Sequence, residues 1–179
     1  MSANEPVLER IRPDHAPALL AFERENRAYF LASVPDRGDA YFAEFDERHR
    51  ELMDAQEAGE IHFHVLVAED GEIVGRLNLN DVDQADGSAE LGYRLAEKAT
   101  GRGLATRGVR ALCRLAREEY GLRRLTAVTT LDNAASRAVL ARVGFGAVGG
   151  VTLDDGGPGI TYELDLGGSF GREWSGSPS

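Results

Sequence analysis

The residues with the most chemistry to offer lie in the run Ala99-Thr100-Gly101-Arg102-Gly103-Leu104-Ala105-Thr106, between a predicted strand and a predicted helix. Glycines at such a handover let the backbone come close to a ligand, and the first N–H groups of the helix then point at any anion there. Gly101, Arg102, Gly103, Leu104, Ala105 and Thr106 are therefore predicted to hold a phosphate through the main chain. No Lys-Ser or Lys-Thr follows Gly103, which excludes a nucleotide P-loop. Thr106 stands where a dinucleotide fingerprint needs its third glycine. Arg102 and Arg107 could meet the phosphate charge; alternatively, Arg107 joins Arg110, Arg114 and Arg117 on a solvated helix face.

The elements that must position this loop are legible on both sides of it. Ala89, Leu91, Tyr93 and Leu95 alternate with Ser88, Glu90, Gly92 and Arg94, the period of a strand. After the loop, Ala105, Val109, Leu112, Cys113 and Ala116 recur at helical spacing. The strand expected over residues 125–130 lies parallel to the one over 88–95, which makes a right-handed strand–helix–strand unit. A short helix follows, with Asp132 as its N-cap and Gly144 as its terminator. Upstream, residues 14–30 read as a helix, residues 33–38 as a break, and residues 39–58 as one amphipathic segment. Strands are expected over 61–68 and 72–80, and a hairpin over 148–153 and 160–166. There is no internal repeat, and residues 167–179, Gly- and Ser-rich around Trp174, are expected to be a disordered tail behind one domain spanning 1–166.

Two motifs in this order resemble the GNAT acetyltransferase superfamily. Its acyl-CoA signature is Gln or Arg, two residues, Gly, one residue, then Gly or Ala; here Thr100 departs from the first slot while Gly103 and Ala105 fill the others. The family also carries an Asn, two residues, Ser element with a Gly-Phe pair behind it, matched by Asn133, Ser136, Gly144 and Phe145. The resemblance spans about residues 7–166 and is nearest to the RimJ/RimL branch, which acetylates the N-terminal residue of ribosomal proteins. Glu25-Asn26-Arg27, Phe30-Leu31 and Val34-Pro35-Asp36-Arg37 suggest that branch. It implies an α/β fold with a central mixed, mostly antiparallel sheet, a splayed parallel strand pair and flanking helices. It also implies acetyl-CoA as co-substrate, with direct transfer to an amine in a ternary complex.

Roles follow residue by residue. The strand carrying Tyr93, Arg94 and Leu95 would pair with pantetheine as an added strand, and Asn133 would contact the pantetheine arm. Residues 102–106 would hold the pyrophosphate. The proton donor of other branches, a Tyr on the last helix, is Leu140 here; in the RimL-like pattern Ser136 gives the proton to the leaving thiolate. The bland reading of Ser136 is a first-turn residue bonded to backbone. Glu90 is the candidate general base, with Glu163, Asp154 or a water relay as alternatives and a solvated carboxylate as the bland reading. Asn26, Arg27, Tyr29 and Phe30 could line the acceptor cleft; Tyr29 and Phe30 could equally be packing at a helix end. An α-amine, with a pKa of about 8 against about 10.4 for lysine, asks little of a base.

Composition narrows the partners. Acidic residues outnumber Lys and Arg 30 to 20, a net charge of −10, which argues against nucleic acid and favours cationic ligands such as amines. The resemblance implies a protein or peptide N-terminus as the acceptor; a small amine such as an antibiotic or polyamine, which the acidic balance would also suit, is the alternative, and a non-catalytic acyl-CoA-binding module is the third reading. No apolar run is long enough for a membrane, and Met1-Ser2-Ala3-Asn4-Glu5-Pro6 is unlike a signal peptide, so the cytoplasm is the expected location. One cysteine, Cys113, excludes an internal disulfide and falls on the apolar helix stripe. His62 and His64 share a strand face, but no third ligand is near in sequence and no metal is expected. Dimers occur in the family; no residue here argues for one.

Overall fold

The computed structural model describes residues 5–32 and 35–167. The alternating pattern before the Gly-rich loop forms strand β4 (Ser88–Leu95), with Ala89, Leu91 and Leu95 buried. Behind it, the helical stripe forms α5 (Leu104–Glu118), whose Val109, Leu112, Cys113 and Ala116 are fully buried. Gly108 lets this helix sit close to the sheet, since a Cβ there would lie 3.1 Å from the Leu77 side chain. Burial of a Leu such as Leu112 contributes about 2 kcal/mol.

Around this unit run β1 (Val7–Arg10), α1 (Ala16–Glu25), α2 (Arg27–Leu31), α3 (Asp39–Ala43), α4 (Phe45–Glu57), β2 (His62–Val67) and β3 (Ile73–Asp83). After α5 come β5 (Arg124–Thr130), α6 (Ala134–Val143), β6 (Gly146–Thr152) and β7 (Pro158–Asp165). The seven strands form one sheet in the order β1-β2-β3-β4-β5-β7-β6, and β4 with β5 is its parallel pair.

That parallel pairing is short. Ser88, Ala89 and Glu90 match Arg124, Leu125 and Thr126, and the strands then part. Each stays held by its other neighbour: β4 pairs with β3 out to Leu95, and β5 with β7 out to Thr130. A splay therefore opens in mid-sheet, and the β4 backbone over residues 91–95 has no strand on its β5 side.

Several expectations are corrected. Residues 7–10 are a strand, which four residues of mixed polarity could not announce; β1 pairs antiparallel with β2. The helix read over 14–30 breaks at Asn26, whose Nδ2 donates to the Phe22 carbonyl and ends α1. The segment 39–58 likewise breaks at Glu44, where the backbone leaves the helical region. The N-cap of α6 is Asn133 rather than Asp132: the Asn133 Oδ1 accepts the Ser136 N–H at 3.1 Å. Residues 33, 34 and 168–179 lie outside the described residues, and with them part of the 33–38 break, most of the expected tail and Trp174. Among the described residues no helix is long and apolar enough to cross a membrane.

Candidate active site

Two cavities meet at the splay. One, of about 550 Å³, runs from the Gly-rich loop along α6; the other, of about 620 Å³, lies over β3 and β4 on the far side. Tyr93, Arg94, Asn133 and Ser136 line both.

The loop end of the first cavity is built from backbone. Gly103 precedes α5 with φ +74°, a left-handed conformation that costs a side-chain-bearing residue about 1–2 kcal/mol. Gly101 has φ +78°. This path aims the open end of α5 at the cavity, with Leu104, Ala105 and Thr106 on its wall. Their N–H groups are those a helix start leaves without a helical partner, since the first such bond runs from Arg107 to the Gly103 carbonyl. The Arg107 guanidinium lies against this loop, 3.0 Å from where a Cβ on Gly103 would be, and pairs at 3.1 Å with Glu5. Arg102 is exposed and does not line the cavity; Arg142, which sequence reasoning missed, does. Thr100 borders it too, but its hydroxyl donates to the Glu97 carbonyl at 2.7 Å. The unpaired edge of β4, this cradle and the length of the cavity together fit an extended molecule with phosphate at one end.

At the junction the Tyr93 hydroxyl donates to Ser136 Oγ at 3.2 Å. Burial raises the Tyr93 pKa, and the bond to Ser136 counters that in part, so at neutral pH the phenol carries its proton. Ser136 accepts from Tyr93 and keeps its own O–H for another partner. The Asn133 cap fixes the turn that bears it. The serine thus makes more than the local backbone bond of an ordinary first-turn residue.

The second cavity is built from side chains. Register places Arg76 opposite Arg94, Asn78 opposite Gly92 and Asn80 opposite Glu90, so β3 and β4 lay a polar lane along its floor. Glu90 titrates above the usual carboxylate range, first through partial burial and then through the charge of Asp81. Asp154 borders the same cavity; Glu163 does not, and it pairs with Arg124 at 3.6 Å. Of the expected acceptor residues, Tyr29 lines the first cavity rather than this one. Asn26 is buried and spent on structure, with its Oδ1 accepting the Glu97 N–H at 3.0 Å. Arg27 is held by Asp36 at 2.7 Å and Asp39 at 2.9 Å. Arg37, Arg76, Asn78 and Asn80 were missed; strand register brings the last three to the floor, and the segment before α3 brings Arg37.

The remaining reactive side chains lie apart. Burial pushes the Cys113 thiol up to about 12, which removes it as a nucleophile. His62 stacks on the Tyr120 ring at 3.6 Å, and the Tyr120 hydroxyl lies 2.8 Å from His64 Nε2. Burial holds His64 down to about 4. Among the described residues no group of three or more His, Cys, Asp or Glu could hold a metal ion.

Comparison with known proteins places this arrangement. The family model described as "Acetyltransferase (GNAT) domain" matches residues 7–146. The chain is 30% identical over 157 residues to "Putative ribosomal N-acetyltransferase YdaF" of Bacillus subtilis, covering 86% of this chain and 82% of that protein. Its fold matches the ribosomal-protein-S5-alanine acetyltransferase of Vibrio fischeri with a TM-score of 0.85 at 20% identity, over 92% of this chain and 95% of that one. It also matches RimJ of Mycobacterium smegmatis, solved in complex with CoA-disulfide, with a TM-score of 0.81 at 23% identity, over 92% and 87% of the two chains.

Proposed function

The chain belongs to the acetyltransferase (GNAT) family, and from that premise we propose that it moves the acetyl group of acetyl-CoA onto a primary amine, in the first place a peptide or protein N-terminus. One observation carries this reading: the cavity that starts at the Gly-rich loop and the cavity over β3 and β4 join at Tyr93, Arg94, Asn133 and Ser136, where β4 and β5 part. A donor entering from one side and an amine from the other would meet there. The names of YdaF and of the Vibrio fischeri acetyltransferase, both concerned with ribosomal proteins, support an N-terminal amine. We place the reaction in the cytoplasm.

Acetyl-CoA supplies an acyl group activated as a thioester. The N–H groups of Leu104, Ala105 and Thr106 hold phosphate oxygens, and the open edge of β4 over residues 91–95 takes the pantetheine arm. Glu90, its basicity raised by burial and by Asp81, accepts the proton the amine must lose, directly or through water. Ser136 donates its hydroxyl proton to the departing sulfur and takes the Tyr93 O–H proton bonded to its Oγ, and Tyr93 regains a proton from water before the next turnover. Ser136 lies at the junction and Glu90 on the acceptor floor, and the acyl group passes to the amine without a covalent enzyme intermediate. The test is CoA release from acetyl-CoA with peptides bearing Ala or Ser N-termini, polyamines and aminoglycosides, with product masses measured. Turnover on peptides is expected; turnover on small amines alone would overturn the choice of acceptor.

A further inference from the structure

The acidic composition predicts a site that prefers cations, yet one end of the acceptor cavity carries the opposite charge. Arg37, Arg76 and Arg94 converge on one carboxylate, Glu23, which is 1% exposed. Glu23 Oε2 accepts from Arg37 Nε at 2.6 Å, and Oε1 accepts from an Arg76 nitrogen at 3.1 Å. Arg94 comes no nearer than 3.6 Å, an ion pair without a hydrogen bond. No other carboxylate among the described residues comes within ion-pair distance of the three. Asp36, next to Arg37 in the chain, is occupied by Arg27.

Two positive charges are thus left over beside a cavity that all three arginines line. Each guanidinium is braced from behind by a ring: Arg37 over Tyr41 at 4.8 Å, Arg76 over Phe63 at 4.3 Å and Arg94 over Phe30 at 4.7 Å. Arg94 is lowered to about 10, mainly by burial and then by Arg37, with Arg76 adding to it and Glu23 opposing. Partly buried cations of like sign held together are costly unless something completes them. A guanidinium with free N–H groups matches carboxylate or phosphate oxygens in paired geometry. Glu90, Asp154 and Asp155 also line the cavity, and Glu90 lies four residues from Arg94 along β4, about 13 Å at strand spacing. The floor is therefore polarised, with guanidiniums at one end and a carboxylate at the other.

We propose that Arg37, Arg76 and Arg94 form an oxyanion subsite that selects amine acceptors carrying a carboxylate or phosphate within about three residues of the reacting amine. The inference rests on the acetyltransferase reading and names its substrate class: N-termini followed closely by acidic or phosphorylated residues. Polycationic amines would set their far charges against the guanidiniums and are disfavoured.

The experiment uses the full chain and hexapeptides beginning with Ser, with Glu, Gln, phosphoserine or Lys at positions 2 and 3. Two quantities are read: kcat/KM from CoA release, and peptide Kd by calorimetry with CoA present. Glu peptides are expected to exceed Gln peptides about tenfold in both, and Lys peptides to fall below Gln. Arg37→Gln should bring the Glu-to-Gln ratio close to one, while Arg37→Lys retains part of it. A larger effect for phosphoserine than for Glu would identify phosphate as the preferred oxyanion. Wild-type ratios within twofold in both quantities would overturn the subsite. If no peptide is acetylated, the proposed acceptor class fails, and the Kd ratio still decides the subsite independently.

Discussion

The two cavities differ in what they are made of. The proposed acetyl-CoA wall takes its phosphate end from consecutive residues at the start of α5 and its length from the open edge of β4, with α2 and α6 closing its sides. The proposed acceptor wall is assembled from β3, β4, β5, the residues before α3 and the β6–β7 turn, and it offers its polar groups on side chains. Main-chain recognition of this kind tolerates many sequences so long as the turn can form, whereas side-chain recognition changes with each substitution. The lesson is that a donor site can stay constant while the acceptor site is retuned, since the two share little beyond Tyr93, Arg94, Asn133 and Ser136.

Substitutions can break or sharpen this contrast. The largest effect is expected at Gly103: proline cannot adopt a φ of +74°, so Gly103→Pro should turn the cradle away and weaken acetyl-CoA binding by at least about a hundredfold by calorimetry. Peptide Kd, measured without acetyl-CoA, should change far less; an equal loss in both would show that the cavities are not separable.

Next comes the junction. Ser136→Ala should lower kcat by about thirtyfold with little change in either KM, and Tyr93→Phe by less, because it removes only the hydroxyl behind the serine. A kcat within twofold of wild type in Ser136→Ala would remove that residue from proton transfer.

Glu90→Gln belongs to the acceptor side alone. It should cost about tenfold in kcat/KM at pH 6.5, where an α-amine is mostly protonated, and less as pH rises past about 8. Glu90 must be ionised to act, so a raised pKa moves the acid limb of the profile upward. Asp81→Asn removes one cause of that shift and should move the limb to lower pH. A limb that stays in place would separate Glu90 from the rate.

The smallest effect is expected at Thr100. Its hydroxyl is already bonded to Glu97, so Thr100→Ala should leave acetyl-CoA affinity within about twofold, as a backbone-built cradle requires.

By itself, the sequence determined whatever depends on neighbours along the chain. The alternation of β4, the stripe of α5 and the glycines between them are local patterns, and the structure keeps them as strand, helix and loop, while the cap of α6 moves by one residue from Asp132 to Asn133. The same locality made the order of most strands legible, while β1 and the helix breaks at Asn26 and Glu44 escaped because four residues or one side-chain bond carry too little periodicity. Only the tertiary structure decided the acceptor floor. Arg76 meets Arg94 through antiparallel register, Glu23 reaches them from α1 and Arg37 from a connecting segment, so contacts between residues 14 to 71 positions apart set the charge there. Net charge is a sum over the whole chain, and a sum says nothing of position. An acidic protein can therefore hold a cationic pocket, because folding places three guanidiniums on one buried carboxylate.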